Sequence, residues 1–107
     1  MRPTRRDVAM GAVASAVAPK LMASEAIHDV RITDFAFEPE TLRVQVGDRI
    51  RWTNEDLAPH TATADEFGWD TEELARGESA EIVVSEGMET SYFCVFHPHM
   101  KGALEIV

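Results

Sequence analysis

Apolar and polar residues alternate with a period of two along most of this chain, beginning near Asp29. Val30 and Ile32, for example, alternate with Arg31 and Thr33. Successive side chains of a β-strand point to opposite faces, so this period indicates strands with one buried face, whereas a helix repeats about every 3.6 residues. The pattern predicts strands at 30–33, 42–46, 49–52, 79–84, 90–94 and 103–107.

Turn-forming residues separate these runs at Pro39-Glu40, Gly47-Asp48, 76–78 and Glu86-Gly87. Short strands with such connections predict an all-β sandwich. A length of 107 residues allows one domain. The segment 69–74 is ambiguous, because its sequence is also compatible with one helical turn.

The first 26 residues differ in composition from the rest of the chain. A charged start that contains Arg5-Arg6 precedes a weakly apolar run over 8–18. That run is too short to cross a bilayer, which takes about 20 residues, and it is typical of an export signal, here of the twin-arginine type. We therefore predict a signal peptide over 1–26 and one domain over 27–107, periplasmic or otherwise exported, without a membrane anchor. Cleavage after Ala18 and a short cytosolic helix are the alternatives.

The predicted domain is strongly acidic. From Ile27 onward it has six Lys or Arg and seventeen Asp or Glu, a formal charge of −11, while the whole chain carries −9. Phosphate contacts need a basic surface, so nucleic acid is not expected as a partner. The charge favours a protein partner with a basic surface, which long-range attraction would steer in. Solubility or a salty habitat explains the acidity equally well.

Three metal-ligating residue types stand three positions apart near the end of the chain: Cys94, His97 and Met100. A thiolate, an imidazole and a thioether on one short segment favour a soft, redox-active metal, and copper suits this set best. Cys94 is the only cysteine, so it is either a free thiol or a ligand. Pro98 excludes a regular helix, so the segment is expected to turn back as a loop before a final strand that starts after Gly102.

A fourth ligand is expected from elsewhere in the chain, and His60 in the run Ala58-Pro59-His60-Thr61 is the candidate. Two imidazoles and a thiolate with a weak axial thioether compose a blue-copper electron-transfer site. Four protein ligands leave no open position for a substrate, which predicts that the protein is not an enzyme. Zinc is the rival metal, but zinc sites rarely use a thioether, so Met100 argues against it.

Each of these residues also has an ordinary structural explanation when it is taken alone. Cys94 can be a core thiol, His97 a surface residue and Met100 core filler. Their combination at this spacing, between two strands, favours the metal site. Two other histidines compete for a role: His28 lies near the predicted mature terminus, where a cupric site is conceivable, and His99 is expected to be an exposed imidazole.

The segment Cys94-x-x-His97-x-x-Met100-Lys101-Gly102 resembles the ligand loop of amicyanin and of the plastocyanin and pseudoazurin group of small cupredoxins. The resemblance extends over 29–107 and includes Asn54-Glu55-Asp56, Pro59-His60-Thr61, Gly77 and Tyr92. It implies a Greek-key β-sandwich with copper at one end.

By position, the same resemblance implies His60, Cys94 and His97 as strong copper ligands and Met100 as the axial ligand. In the family the ring edge of the C-terminal histidine reaches the surface through an apolar patch where partners dock. For this chain the patch would surround His97 and include Pro59, Phe96 and Pro98.

Two positions depart from the family pattern. Thr61 stands where amicyanins and plastocyanins often have an Asn that ties the two ligand loops together, so here that hydrogen bond depends on a hydroxyl. His99 makes the docking patch more polar than in amicyanins.

The function implied is one-electron transfer by Cu(II)/Cu(I) alternation, with one ion per chain. The expected protein is a monomer, and its expected partners are redox proteins with a basic surface, such as a cytochrome, a dehydrogenase or a reductase. A periplasmic copper carrier or scavenger is the alternative. A metal-dependent enzyme would need further ligands such as paired His-x-His, and His97-Pro98-His99 is the only such pair.

Overall fold

The computed structural model describes residues 26–107, and the backbone over this range forms eight β-strands and no helix. The strands are β1 (Ile27–Thr33), β2 (Ala36–Glu38), β3 (Thr41–Val44), β4 (Arg49–Asn54), β5 (Thr63–Ala64), β6 (Ser79–Val83), β7 (Ser91–Cys94) and β8 (His97–Ile106). The described residues accordingly contain no helix long and apolar enough to cross a membrane. The predicted export signal over 1–26 lies outside the described residues, apart from Ala26.

The strands form two four-stranded sheets, each with both parallel and antiparallel pairs. The first sheet has the order β2-β1-β4-β6, in which β1 and β4 run parallel. The second has the order β3-β8-β7-β5, in which β3 and β8 run parallel. Parallel neighbours cannot be joined by a tight turn, so the chain passes repeatedly from one sheet to the other. This arrangement confirms the predicted all-β Greek-key sandwich.

Inward-facing side chains of both sheets form one hydrophobic core. Val30 and Ile32 of β1 and Ile50 and Trp52 of β4 are fully buried, as their alternation predicts. Burial of each such side chain stabilises the fold by about 1.5–3 kcal/mol. Tyr92 of β7 meets Trp52 edge-on, with ring centroids 5.5 Å apart. This ring pair joins the two sheets and fixes β7, which leads into the predicted metal-binding segment.

Three local predictions need correction. The strands β2 and β5 were not predicted, because three and two residues are too few to show an alternating pattern. Val46 lies outside β3 and is 46% exposed, because the turn to the other sheet begins there. The segment 69–74, which the sequence left ambiguous, holds no helical turn; it makes isolated bridges from Asp70 to Thr63 and from Leu74 to His60, and Glu72 between them has a positive φ of 67°.

The last strand begins at His97, six residues earlier than predicted. Cys94 and His97 are paired across a two-residue turn at 95–96, so the predicted loop is a tight turn followed directly by a strand. Pro98 is tolerated in this strand because β3 pairs with β8 only from Ala103 onward. The start of β8 is therefore an edge, where a residue without an N–H group removes no ladder hydrogen bond on the outer side.

Gly102 fixes the register between β7 and β8. It is the Cα partner of Tyr92, and the phenol ring lies directly against its backbone. A Cβ atom at position 102 would collide with Cζ, Oη and Cε2 of that ring. Only glycine fits here, and the close contact holds the residues that precede and follow the Cys94–His97 turn in place.

Candidate metal centre

Three of the predicted ligand residues converge at one end of the sandwich. Cys94 Sγ lies 3.7 Å from His60 Nδ1 and 3.6 Å from His97 Nδ1. The three ligand atoms all lie within 4.8 Å of one another. His60 and Cys94 are fully buried, whereas His97 is partly exposed. The fold thus brings together two segments that are 34 residues apart in the chain.

The turn between β7 and β8 places Cys94 and His97 next to each other. The two residues are Cα partners across the antiparallel pair, and a register irregularity lies between Phe93 and Cys94. Paired residues on antiparallel strands project to the same side, which explains why the thiol and the imidazole meet. Met100, three residues further on, is 2% exposed and belongs to the same core cluster as Cys94.

His60 comes from the connection between β4 and β5. Its backbone N–H donates to the Leu74 carbonyl at 3.1 Å and its carbonyl accepts from the Leu74 N–H at 2.8 Å. The buried Asn54 amide donates to the carbonyls of Ala58 and Leu74, both at 2.9 Å, and its Oδ1 accepts the Asp56 N–H at 2.8 Å. Asn54 therefore holds the whole connection in the shape that carries His60 to the site.

Asp56 orients the His60 ring. Its carboxylate accepts hydrogen bonds from the backbone N–H groups of Asp34 at 2.8 Å and Phe35 at 2.9 Å, and it lies 2.8 Å from His60 Nε2. Burial alone would raise the pKa of Asp56, but these hydrogen bonds outweigh burial and hold the pKa below its ordinary value. An ionised carboxylate only accepts, so in the neutral ring Nε2 carries the proton and Nδ1 presents a lone pair towards Cys94.

Thr61 ties the two ligand segments together. Its backbone N–H donates to Cys94 Sγ at 3.4 Å, and its hydroxyl accepts from the Val95 N–H at 3.0 Å. The same hydroxyl lies 2.9 Å from Thr63 Oγ1, which donates to Asp70 at 2.9 Å. Because the Thr63 proton goes to Asp70, Thr61 donates to Thr63 and accepts from Val95. A hydroxyl thus makes the link that an Asn often makes in the family.

Asn54-Glu55-Asp56 is among the segments that carry the family resemblance, but the roles of Asn54 and Asp56 were not predicted. Asp56 stands four residues before His60, and Asn54 ends a strand. Neither spacing is diagnostic, because the hydrogen bonds of Asp56 reach into the β1–β2 turn, more than twenty residues away.

The remaining histidines lie outside this cluster. His28 Nε2 lies 2.8 Å from Asp48 Oδ2 at the start of β1, at the far end of the strands from His60. His99 is exposed, and its ring centroid lies 6.4 Å from that of His97. Among residues 26–107, the His60–Cys94–His97 cluster is the only group of His, Cys, Asp or Glu side chains assembled closely enough to hold a metal ion.

The donor set fits copper. A thiolate and two imidazole nitrogens face one another in a buried site, and a buried thioether lies in the adjoining core. The Thr61 N–H directed at Cys94 Sγ is the kind of supporting contact that orients a metal ligand. Among residues 26–107 no carboxylate belongs to this group of ligand atoms, whereas the sites of harder cations are built from oxygen ligands.

Exposed apolar residues flank His97 in the chain and in space. Phe96 and Val95 of the turn are 47% and 39% exposed, and Pro98 follows the histidine on the surface. Phe35 contacts the His97 ring and is itself 45% exposed. Pro59 and Leu57 stand close to His60 in the chain and are also exposed, and we refer to the six exposed residues as the apolar patch: Phe35, Leu57, Pro59, Val95, Phe96 and Pro98.

Comparisons with known structures agree with this arrangement. The chain is similar to a copper-containing nitrite reductase from Thermus scotoductus SA-01, with 26% identity and a TM-score of 0.68 over 75% of this chain and 22% of the reductase chain. It is similar to an amicyanin variant in the reduced state, with 26% identity and a TM-score of 0.66 over 76% of this chain and 82% of the amicyanin. A purple cupredoxin from Nitrosopumilus maritimus matches with 23% identity and a TM-score of 0.67, over 75% and 99% of the two chains.

A family model decides the classification. The model of the cupredoxin-like domain matches residues 8–106, nearly the whole chain. Copper is the cofactor that this family assignment and the His60–Cys94–His97 donor set jointly indicate. The β-sandwich, the buried thiol and the two imidazoles agree with this match, and the chain belongs to the cupredoxin-like family of copper proteins.

Proposed function

We propose that this protein carries single electrons between redox partners. His60, Cys94 and His97 would hold one copper ion as its strong ligands, and Met100 would be a weak fourth ligand. Copper supplies the Cu(II)/Cu(I) couple when it is bound. The single observation that carries the proposal is the approach of one buried thiol and two imidazole Nδ1 atoms within 4.8 Å of one another.

The surrounding hydrogen bonds suit electron transfer because they resist rearrangement. Asp56 holds the His60 ring, Asn54 holds the backbone that carries it, and Thr61 joins the two ligand segments. A frame that keeps its shape when the charge at its centre changes keeps the barrier to electron transfer low.

The same donor set favours a protein that binds copper but does not catalyse a reaction. Four side chains leave no coordination position for a substrate. The similarity to the nitrite reductase covers only 22% of that enzyme's chain, so it supports a shared fold and carries no reductase activity to this protein. Burial of His60 and Cys94 also disfavours the alternative function of a copper carrier or scavenger, which needs accessible, exchangeable ligands.

Electrons enter and leave through His97, the only one of the three clustered ligand residues that reaches the surface. The apolar patch around it provides the docking surface for redox partners. The partner is expected to be basic, because carboxylates outnumber cations in the domain and four of its six cations are already paired with carboxylates. The surface that remains is therefore mainly negative. Exposed carboxylates that remain include Asp65, Glu66, Glu72 and Glu73.

Export to the periplasm completes the proposal. It rests on the predicted twin-arginine-type signal over 1–26, and that route implies that the domain crosses the membrane already folded. Expression of the full chain with the natural or a lysine-substituted pair at Arg5 and Arg6, followed by cell fractionation, tests the location. Loss of export with the substituted pair is the expected result.

The electron-transfer function is tested on the purified, copper-loaded protein. Charge transfer from the Cys94 thiolate to Cu(II) should give an intense visible absorption, and the electron paramagnetic resonance spectrum should show a small parallel copper hyperfine splitting. The Cys94→Ser variant is the control and should lose both signals while it retains the two imidazoles. A colourless copper-loaded protein, or rapid removal of copper by a chelator, would count against the electron carrier and favour the copper carrier.

A further inference from the structure

Phe35 occupies a backbone conformation that suits glycine or asparagine and not a bulky residue. It follows Asp34 in the two-residue turn between β1 and β2, and the φ angles of the two residues are 53° and 59°. Turns of this kind require positive φ at both positions and favour Asn-Gly or Asp-Gly. The carboxylate of Asp56 accepts hydrogen bonds from both N–H groups and so holds the strained turn in place.

Core packing does not explain a phenylalanine at this position. The side chain is 45% exposed and does not belong to the hydrophobic core cluster. Its ring instead contacts both imidazoles of the metal site. Its centroid lies 5.0 Å from that of His60 and 4.8 Å from that of His97, and each ring pair meets edge-on at 87°. A strained residue that touches a functional site is a reason to look for a role there.

The two imidazoles differ in how firmly hydrogen bonds hold them. His60 is fully buried, and Asp56 binds its Nε2. His97 is partly exposed, its Nδ1 faces Cys94 Sγ, and its Nε2 has no hydrogen-bond partner among residues 26–107. The plane of the His97 ring is therefore fixed by neighbouring rings, and Phe35 is the nearest of these that is not itself a ligand.

We propose that Phe35 is a positioning residue of the metal site, which holds the His97 imidazole in the orientation that directs Nδ1 towards Cys94. The ring fills the space into which the imidazole would otherwise rotate, both before metal binding and when the metal changes charge. This role deepens the proposed electron-transfer function and rests on it for its effect on the electron-transfer rate. The effect on ring orientation and on metal affinity does not depend on redox chemistry.

The test compares Phe35→Gly with Phe67→Gly in the full protein. Phe35→Gly removes the ring and also the strain of a positive φ angle, because glycine adopts that angle freely. The turn should therefore remain well formed. Phe67 is the matched control, because it also has a positive φ of 63° and is 67% exposed. Its ring packs against that of Phe93 and not against an imidazole. Phe35→Tyr keeps the ring and serves as the conservative variant.

Two measurements report on His97 without electron transfer. Nuclear magnetic resonance relaxation of the imidazole signals should show faster ring motion of His97 in Phe35→Gly, with His60 unchanged. The affinity for Zn(II), a redox-inert probe, should fall about tenfold, since an unfixed ring must be ordered on binding. Phe67→Gly and Phe35→Tyr should match the unmodified protein in both measurements.

The outcomes separate the two proposals. Equal His97 motion and equal Zn(II) affinity in Phe35→Gly and Phe67→Gly would overturn the positioning role, even if the copper protein is blue and active. A colourless copper protein in which Phe35→Gly still frees His97 would leave the positioning role intact and remove the electron carrier. If Phe35→Gly fails to fold, Phe35→Asn, which also tolerates positive φ, takes its place with the same expected results.

Discussion

The hydroxyl of Thr61 accepts a hydrogen bond of 3.0 Å from the backbone N–H of Val95, 34 residues further along the chain. This bond joins the segment that carries His60 to the turn that carries Cys94 and His97. The Thr61 side chain is buried, so its loss leaves the Val95 N–H without its partner. One hydroxyl therefore determines how firmly the two halves of the metal site are held together.

Replacement of Thr61 by Val tests this link. The shapes of the side chains are similar, but Val removes the hydroxyl and leaves the Val95 N–H and the Thr63 hydroxyl short of a partner. We expect the free energy of unfolding to fall by about 1–3 kcal/mol, the cost of an unsatisfied buried polar group. Urea denaturation measures the change, and Thr61→Ser should restore most of the stability. Equal stability of Thr61→Val and the unmodified protein would show that the link is dispensable.

Asp56→Asn tests the orientation of His60. An amide cannot replace a carboxylate as acceptor for two backbone N–H groups and for the imidazole Nε2 proton. Loss of such a supporting group lowers metal affinity by about 10–100-fold in comparable sites. Competition for copper with a chromophoric chelator measures the affinity of the variant and of the unmodified protein.

Glu55→Gln is the matched control for Asp56→Asn. Glu55 is the next residue in the chain, and its carboxylate pairs with Arg31 at 2.8 Å on the surface. An exposed ion pair contributes little to stability, so metal affinity should remain unchanged. Equal losses in the two variants would mean that negative charge near the site matters, and not the contact with His60.

Gly102→Ala tests the packing of β7 against β8. The added Cβ would collide with the ring of Tyr92, which is buried against the backbone of Gly102. Such overpacking costs about 1–3 kcal/mol or more. Gly87→Ala provides the comparison, because open space surrounds that glycine and only its positive φ of 79° opposes a side chain. Thermal denaturation should therefore show the larger loss for Gly102→Ala.

The stability of the fold should fall steeply in alkali because of Tyr92. Burial raises the pKa of Tyr92 to about 12, from an ordinary value of 10.0. The unfolded chain releases the proton first, so the contribution of Tyr92 is fully present below pH 10 and is lost as the pH rises towards 12. Between these values the unmodified protein should lose about 2 kcal/mol more than Tyr92→Phe. Parallel pH profiles of the two proteins would contradict the assignment.

Much of the fold could be predicted from local patterns. Val30, Ile32, Ile50 and Trp52 alternate with polar residues, and all four are buried as that alternation requires. The short strand β5 could not be predicted, because two residues show no period. The early start of β8 was hidden by Pro98, which usually excludes a strand and is accepted here only because that end of β8 has no outer neighbour.

The metal site could be predicted from the sequence only where its ligands lie close together in the chain. Cys94 and His97 stand three residues apart, so a single turn is enough to bring them together. His60 could be nominated only as a candidate, because its approach depends on how two sheets pack. The contacts of Asp56 with the β1–β2 turn had no signal in the sequence, since hydrogen bonds between distant segments leave no periodic pattern.

Side-chain period and ligand chemistry are properties of short segments, so the β-sandwich, the soft donor set and the metal that suits it could be predicted from the chain alone. The packing of the two sheets was needed to establish which histidine joins Cys94, which carboxylate orients that histidine, and that the strained Phe35 lies against both imidazoles. The contacts of Cys94 with His60, of Asp56 with the β1–β2 turn and of Phe35 with His97 join residues more than twenty positions apart, so the packing of one sheet on the other sets these distances.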